Sequence, residues 1–405
     1  MVYADKLNIN DKTEILQFVP NELEYLTKTK KIEYKDKSIK TAYLIDIIHK
    51  FITRRFFTNK TDINLSSEIL RKSYGTFYNY YISYLIEKNI LEKKSNYFAG
   101  LKCNTYSLNP IYLKGNKGDL IRWKNSDKIL LKKWKRNLLS TEIEKLNDTK
   151  KINDTVKRKL IDDLFHVEVD YKKASECLKN LFDDGSIDDI GYWKNQLSIE
   201  SIEDGSIFYV EDSYGRFHTN YTVLKKVIRD EHITIDGEEV EEIDIKNSQP
   251  LFLSILMKEN GFDIEHPIEF ERYYKSVKSG NIYEEYMEVS GWERKVCKKA
   301  MYKVLFANNT LKGKNARINK NFKAIYPEVW NWLKMVKESA GDHKVIAHSL
   351  QRKESNLIFD HICYKIYRDM PEVKIFTVHD SIFFQKKHHT RVRDVFYNHI
   401  DALFA

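Results

Sequence analysis

The stretch Lys374–Phe384, KIFTVHDSIFF, constrains the fold more than any other part of the chain. Strand-forming residues run up to His379-Asp380-Ser381 and resume directly after it, so the pattern predicts a buried hairpin with a polar, charged tip. Such an aspartate is an ordinary turn residue unless a second carboxylate faces it. The chain, 405 residues long, exceeds the usual size of a single core and implies two or three domains.

Hydrophobic residues make up 42% of the chain, enough for globular packing, and no run approaches the roughly 18 apolar residues of a membrane span. The N-terminal MVYADKLNINDKTEILQF lacks a basic region followed by an apolar core, which leads to the expectation of a soluble, cytoplasmic protein with no membrane partner. Cys103, Cys177, Cys297 and Cys363 show no paired spacing, so neither a zinc site nor a disulfide framework is implied. A formal charge of +9 with 13% aromatics is compatible with a nucleic-acid partner. Residues 113 to 137 interleave Lys and Arg with Trp123 and Trp134. They read either as a surface that tracks a phosphate backbone or as a solvated helix face with the tryptophans packed beneath.

No repeat of 20 to 50 residues occurs, and the chain reads as three parts: 1–118, 119–205 and 206–405. In the first, LSSEILRKSY after a capping Asn64, a turn at Gly75-Thr76, the helix FYNYYISYLIEKNI and two strands around Ala99-Gly100 follow the order of a winged helix. Such modules bind DNA or proteins, and a second helix rich in Tyr and poor in Arg leaves both roles open. Residues 119–205 read as charged, amphipathic helices, with His166 a packed or satisfied histidine. From 206 the pattern turns to strands: a hairpin with its turn near Asp212 to Gly215, then VEEIDI ending in Asp244, a polar break and a helix.

Asp244 and Asp380 each end a strand, and two such carboxylates share a pair of divalent ions if their strands are neighbours. Taken singly, Asp244 reads as well as a helix cap and Asp380 as a turn former. Between them SGWERKVCKKAMYKVLFANN is an amphipathic helix on which Arg294, Lys298, Tyr302 and Phe306 fall four residues apart. Two cations followed by two rings on one face suit a nucleoside triphosphate, with phosphates at one end and sugar and base at the other.

These three elements, in this order, resemble motifs A, B and C of the family A DNA polymerases and the related phage-type single-subunit RNA polymerases. DIKNSQP is similar to motif A; Arg294, Lys298, Phe306 and Ala307 match motif B; His379-Asp380-Ser381 matches motif C. GRFHTNYT resembles the stretch before motif A that supports template and primer, and HSLQRKESNLIFDHI the helix before motif C. The likeness covers roughly residues 206 to 390.

The resemblance implies an α+β right-hand polymerase, an antiparallel palm with helical fingers and a thumb-like 119–205 region. It implies that Asp244 and Asp380 hold two magnesium ions, with manganese as a substitute. Arg294 and Lys298 would hold the triphosphate, Lys298 also protonating the leaving group. Tyr302, Phe306 and Gln249 would border the nucleotide. Arg216, His218, Thr219, Arg229, Gln351 and His379 would meet primer and template.

The departures are Phe306-Ala307 where motif B ends Tyr-Gly, Gln249 where DNA polymerases carry a ribose-blocking Glu, and Ser381, which follows the RNA-polymerase form of motif C. The hydroxyl lost at Phe306 and the bulk of Gln249 tilt the expectation to deoxynucleotides, whereas Ser381 points towards the RNA enzymes. No acidic cluster of exonuclease spacing precedes residue 206, so no proofreading is expected from this member of a phage or mobile-element type. The alternatives are a primase-like or small RNA polymerase, a non-catalytic replication-initiation protein with a decayed palm, and a metal-dependent nuclease, which leaves the Arg294 to Phe306 stripe unexplained.

Overall fold

The computed structural model describes residues 13–58, 61–96, 103–113, 120–135, 155–205, 207–309 and 316–403. The chain is α+β, and the strand pairings within its two units are antiparallel. The units share the chain in alternating stretches. One comprises Met1–Asn153, Phe165–Phe208 and Val223–Gly237, the other Asp154–Leu164, Tyr209–Thr222 and Glu238–Ala405. No described helix is long and apolar enough to cross a membrane.

In the N-terminal unit β1 (Ile15–Pro20) precedes a tight hairpin, β2 (Lys31–Tyr34) and β3 (Lys37–Lys40), whose turn residues Lys35 and Asp36 both take positive φ. Positive φ at both central positions gives the turn the twist its strands need. The long helix α1 (Thr41–Thr58) buries Leu44, Ile45, Ile47, Ile48, Phe51 and Ile52. β4 (Asp62–Leu65), α2 (Ser67–Tyr74), α3 (Tyr78–Glu87), β5 (Leu91–Ser95) and β6 (Asn104–Leu108) follow, with the sheet ordered β4-β6-β5.

The cap of α2 differs from the sequence reading. Asn64 lies in β4, where its side chain accepts a hydrogen bond from Thr105, and Ser66 caps the helix by accepting from the Glu68 N–H. The turn at Ala99-Gly100 lies outside the described residues.

Residues 120–125 form strand β7 (Leu120–Asn125), paired with β1, where a helix was expected. The pairing with β1 is long-range and overrides the local amphipathic pattern. Trp123 and Trp134 pack against the N-terminal core, as one reading of that segment expected, but Trp123 does so from a strand and not from a helix. Several of the neighbouring cations are paired: Arg122 with Glu200, Lys124 with Glu14 and Lys40 with Asp127.

Helix α4 (Thr155–Leu164) belongs to the C-terminal unit, whereas β8 (Val167–Val169), α5 (Tyr171–Asp183) and α6 (Asp189–Glu203) return to the N-terminal one. β9 (Tyr209–Glu211) and β10 (Phe217–Thr219) form a hairpin of the C-terminal unit, and β11 (Ile233–Ile235) pairs with β8 inside the N-terminal one. His166 is satisfied by Asp236 at 2.6 Å.

The rest of the chain builds the C-terminal unit. β12 (Glu238–Asp244) leads to helices α7 (Ser248–Glu259), α8 (Pro267–Ser279), α9 (Ile282–Ser290), α10 (Arg294–Phe306), α11 (Ala316–Ile325), α12 (Pro327–Ser339) and α13 (Val345–Asn356). A π-helical turn, Leu357–Cys363, extends α13. Then come the hairpin β13 (Ile375–Val378) and β14 (Ser381–Gln385), and α14 (His389–Leu403). In the three-stranded sheet of this unit β14 lies between β13 and β12.

Every residue of β13 and β14 is buried. Phe376 and Phe383 stack at 4.6 Å, and Tyr221 lies 4.9 Å from Phe376. Asp163, fully buried on α4, accepts hydrogen bonds from the Ile375 N–H at 3.0 Å, the Tyr367 hydroxyl at 2.8 Å and Lys159 at 2.7 Å. Burial pushes the Asp163 carboxyl above its ordinary value, while those donors pull it down. This carboxylate pins the first residue of the hairpin. Asp163→Leu leaves its partners without an acceptor and lowers the stability of the C-terminal unit by about 3–5 kcal/mol in denaturant titration, with hydrogen exchange fastest in 375–385. A loss below about 1 kcal/mol contradicts the anchoring role.

Candidate active site

The register of β12 against β14 sets Asp244 opposite Ser381. Opposed residues on neighbouring antiparallel strands have Cα atoms about 5 Å apart, so Asp380, next to Ser381, comes to the same end of the sheet as Asp244. His379 and Asp380 form the two-residue turn between β13 and β14, with His379 at φ +57°. Asn247, at the start of α7 just past Asp244, has φ +55°. Asn tolerates this left-handed conformation, whereas for a residue such as His379, next to Asp380, it costs about 1 kcal/mol or more.

Asp244 is exposed and Asp380 half-buried. Among the described residues neither carboxylate makes an ion pair or a side-chain hydrogen bond, and no group of three or more His, Cys, Asp or Glu could hold a metal ion.

The β9–β10 hairpin lies against α13. Asp212 accepts from the Tyr214 and Arg216 N–H groups in its turn. Gly215, at φ +84°, passes so close to Ser355 that an added Cβ would sit 3.3 Å from the serine Cβ. Tyr214 stacks on His348 at 4.0 Å, with Arg352 5.5 Å from its ring. This approach delivers Arg216 to Glu354. The guanidinium donates from Nε at 2.9 Å and from Nη2 at 2.7 Å, both to Oε1, and Gln249 Nε2 donates to Oε2. His218 pairs with Asp212 at 3.0 Å and meets His379 edge to face at 5.7 Å.

Glu354 and Gln249 are each only 2% exposed. Burial pushes the Glu354 carboxyl up to about 7, the Arg216 charge pulling it down and the Asp380 carboxylate pushing it further up. Burial, and then the Asp380 and Glu354 charges, raise the Tyr302 phenol, so it stays a neutral donor. Side chains from β10, α7, α10 and α13 thus gather next to the β13–β14 turn.

On α10, Cys297, Ala300, Met301, Val304 and Leu305 are buried. Arg294 and Lys298 are exposed and Tyr302 and Phe306 half-buried, the two rings 5.5 Å apart. Arg294 donates to Glu284 at 2.9 Å and lies 5.2 Å over the Tyr283 ring. An exposed pair of this kind contributes little and gives way to a stronger anion. The end of α10 is fixed by Lys337 of α12, buried, which donates to the carbonyls of Val304 at 2.8 Å and Ala307 at 2.9 Å. Burial lowers this ammonium to about 8.

Of the residues singled out in the sequence, Asp244, Asp380, Arg216, His218, His379, Gln249 and Tyr302 gather around the β12–β14 end and the β9–β10 hairpin. Lys298 and Phe306 follow Tyr302 along α10, and Gln351 lies one turn before Glu354 on α13. Thr219 is buried and its hydroxyl accepts from the Tyr221 N–H, a backbone-fixing role. Arg229 lies in the N-terminal unit, where its guanidinium donates to the Leu224 carbonyl.

Sequence reasoning missed Glu354, Lys337 and Asp163. The signal was present for the first two: Glu354 interrupts the apolar stripe Ile346-Leu350-Ile358, and Lys337 ends Val329-Leu333, both at four-residue spacing.

No family model and no curated protein matches the chain. Among solved structures, the POL domain of Pol1 from M. smegmatis, in complex with DNA primer-template and dNTP, aligns with a TM-score of 0.40 and 11% identity. The alignment covers 57% of this chain and 53% of that one, so the chain spans about half of its length. So slight a likeness leaves any functional reading to rest on the side chains themselves.

Lys337 offers a test by pH. Between about 8 and its ordinary 10.5 the unfolded chain holds a proton that the folded one has released, so this residue makes stability rise with pH across that window. Lys337→Met removes the effect. Urea midpoints measured at about pH 7 and about pH 9.5 should show wild type gaining on the variant at the higher pH; a constant gap contradicts the assignment.

Proposed function

We propose that the C-terminal unit is a template-directed nucleotidyltransferase that adds nucleotides to a primer 3′ hydroxyl, a DNA polymerase without proofreading. The observation that carries this reading is the strand register that brings Asp380 to the same end of the sheet as Asp244, neither carboxylate paired with a cation among the described residues. The donor set suits magnesium, which binds through one or two carboxylates and completes its shell with substrate phosphates and water. Asp244 and Asp380 would hold the ions, which when bound acidify the attacking hydroxyl and neutralise the leaving pyrophosphate.

The chain's own residues do the rest. Arg294 and Lys298 bind the phosphates, Arg294 exchanging its pair with Glu284, and Lys298 supplies a proton to the leaving group. Tyr302 and Phe306 border sugar and base, while Arg216, His218, Gln351 and His379 face the primer end. Thr219 acts through the backbone of its hairpin, and Arg229 as support for the segment after it. Residues 41–108, with the element order α1-β4-α2-α3-β5-β6, suit a winged helix that contacts nucleic acid or a protein partner.

One observation favours a second reading, RNA synthesis by a primase-like enzyme. Gln249 is buried and turned onto Glu354, so its bulk does not stand in the way of a ribose. Incorporation of deoxynucleotides and ribonucleotides on primed and unprimed templates separates the two; efficient RNA synthesis from an unprimed strand decides for the second.

In magnesium, Asp244→Ala and Asp380→Ala should each lower extension of a primed template by about 10²-fold or more while primer-template binding persists. EDTA should abolish extension, and manganese restore it in part. If wild type with magnesium and nucleotides extends nothing, the polymerase reading fails in favour of a non-catalytic DNA-binding protein.

A further inference from the structure

Glu354 is a carboxylate almost without solvent, on the apolar side of α13, and it uses both oxygens. Oε1 takes the Arg216 guanidinium through Nε and Nη2, and Oε2 takes the Gln249 amide. Its three-way contact joins the β9–β10 hairpin, the first turn of α7 and α13. A buried ion pair is a poor way to gain stability, because the desolvation of two charges offsets most of their attraction. What such a group supplies is fixed geometry.

The placement of that geometry is informative. Arg216 leaves the hairpin that also carries His218, whose ring meets His379 beside Asp380. Gln249 lies five residues past Asp244, on the helix that its strand feeds, and its amide oxygen, buried, meets no hydrogen-bond donor among the described residues. The group therefore spans from the residues expected at the strand end to those expected at the nucleotide.

We propose that Glu354 is a positioning residue which, by holding Arg216 and Gln249 together, aligns the primer-terminal base pair with the incoming nucleotide and makes extension sensitive to a mismatched primer end. This rests on the polymerase reading. Glu354 touches no reacting atom. It acts by keeping Arg216 from swinging free and Gln249 from turning its amide away from Glu354.

The test uses the full chain and single-nucleotide extension of matched and mismatched primers. Glu354→Gln keeps the shape and removes the charge that Arg216 needs. The expected result is a rise of about 10-fold in KM for primer-template and for nucleotide, with kcat within about 3-fold, and a fall of about 10-fold in the matched-to-mismatched ratio. Arg216→Lys, which leaves Glu354 a cation and so guards against misfolding, should shift the same three quantities in the same direction. The double variant should be no worse than the poorer single one.

A purely structural role for Glu354 would lower the yield of folded protein and leave the ratio per active molecule unchanged. That result, or unchanged KM values in either folded variant, overturns the inference while the polymerase reading stands. A wild-type protein that extends no primer at all overturns both.

Discussion

The antiparallel register between β12 and β14 is the constraint on which the rest of the C-terminal unit depends. A slip by one residue would turn Asp244 to the other face of the sheet and separate it from Asp380. Buried side chains prevent the slip. Ile243 faces Ile382, β14 is sealed along its length, and the Phe376–Phe383 stack fixes β13 to β14. Asp163 then ties the start of β13 to α4 through the Ile375 N–H. The strand end that carries Asp244, exposed, and Asp380, half-buried, thus stands on a packed apolar base.

Around that base the unit buries charge at two points that a structure built for stability alone would avoid. Lys337 satisfies the carbonyls at the end of α10, and Glu354 gathers Arg216 and Gln249. Each sits where an apolar residue would continue its helix stripe, and each holds an element that carries proposed site residues. In both cases desolvation moves the group's proton affinity toward neutrality, the ammonium down and the carboxyl up. The left-handed His379 places local strain at the same end of the sheet.

Much of this was legible in the sequence where local chemistry decides the outcome. The KIFTVHDSIFF hairpin, the Asp212–Gly215 turn, the strand into Asp244 and the helix from Arg294 all form where alternation, turn residues and four-residue spacing place them. What failed depended on distant partners. Residues 120–125 became a strand because β1 pairs with them, and Asn64 gave up its capping role to pair with Thr105 across the sheet. The contacts of Glu354 were beyond reach for the same reason: its partners lie 105 and 138 residues away. Its place on an apolar stripe was nonetheless a readable anomaly.

The central claim is that Asp244 and Asp380 act as one metal-binding pair. A structure of the protein with magnesium, primer-template and an incoming nucleotide tests it most directly. Both carboxylates are expected within about 2.0–2.1 Å of ions that lie roughly 3.5–4 Å from each other, with the triphosphate against Arg294 and Lys298. Carboxylates more than about 8 Å apart, too far to share such ions, would contradict it.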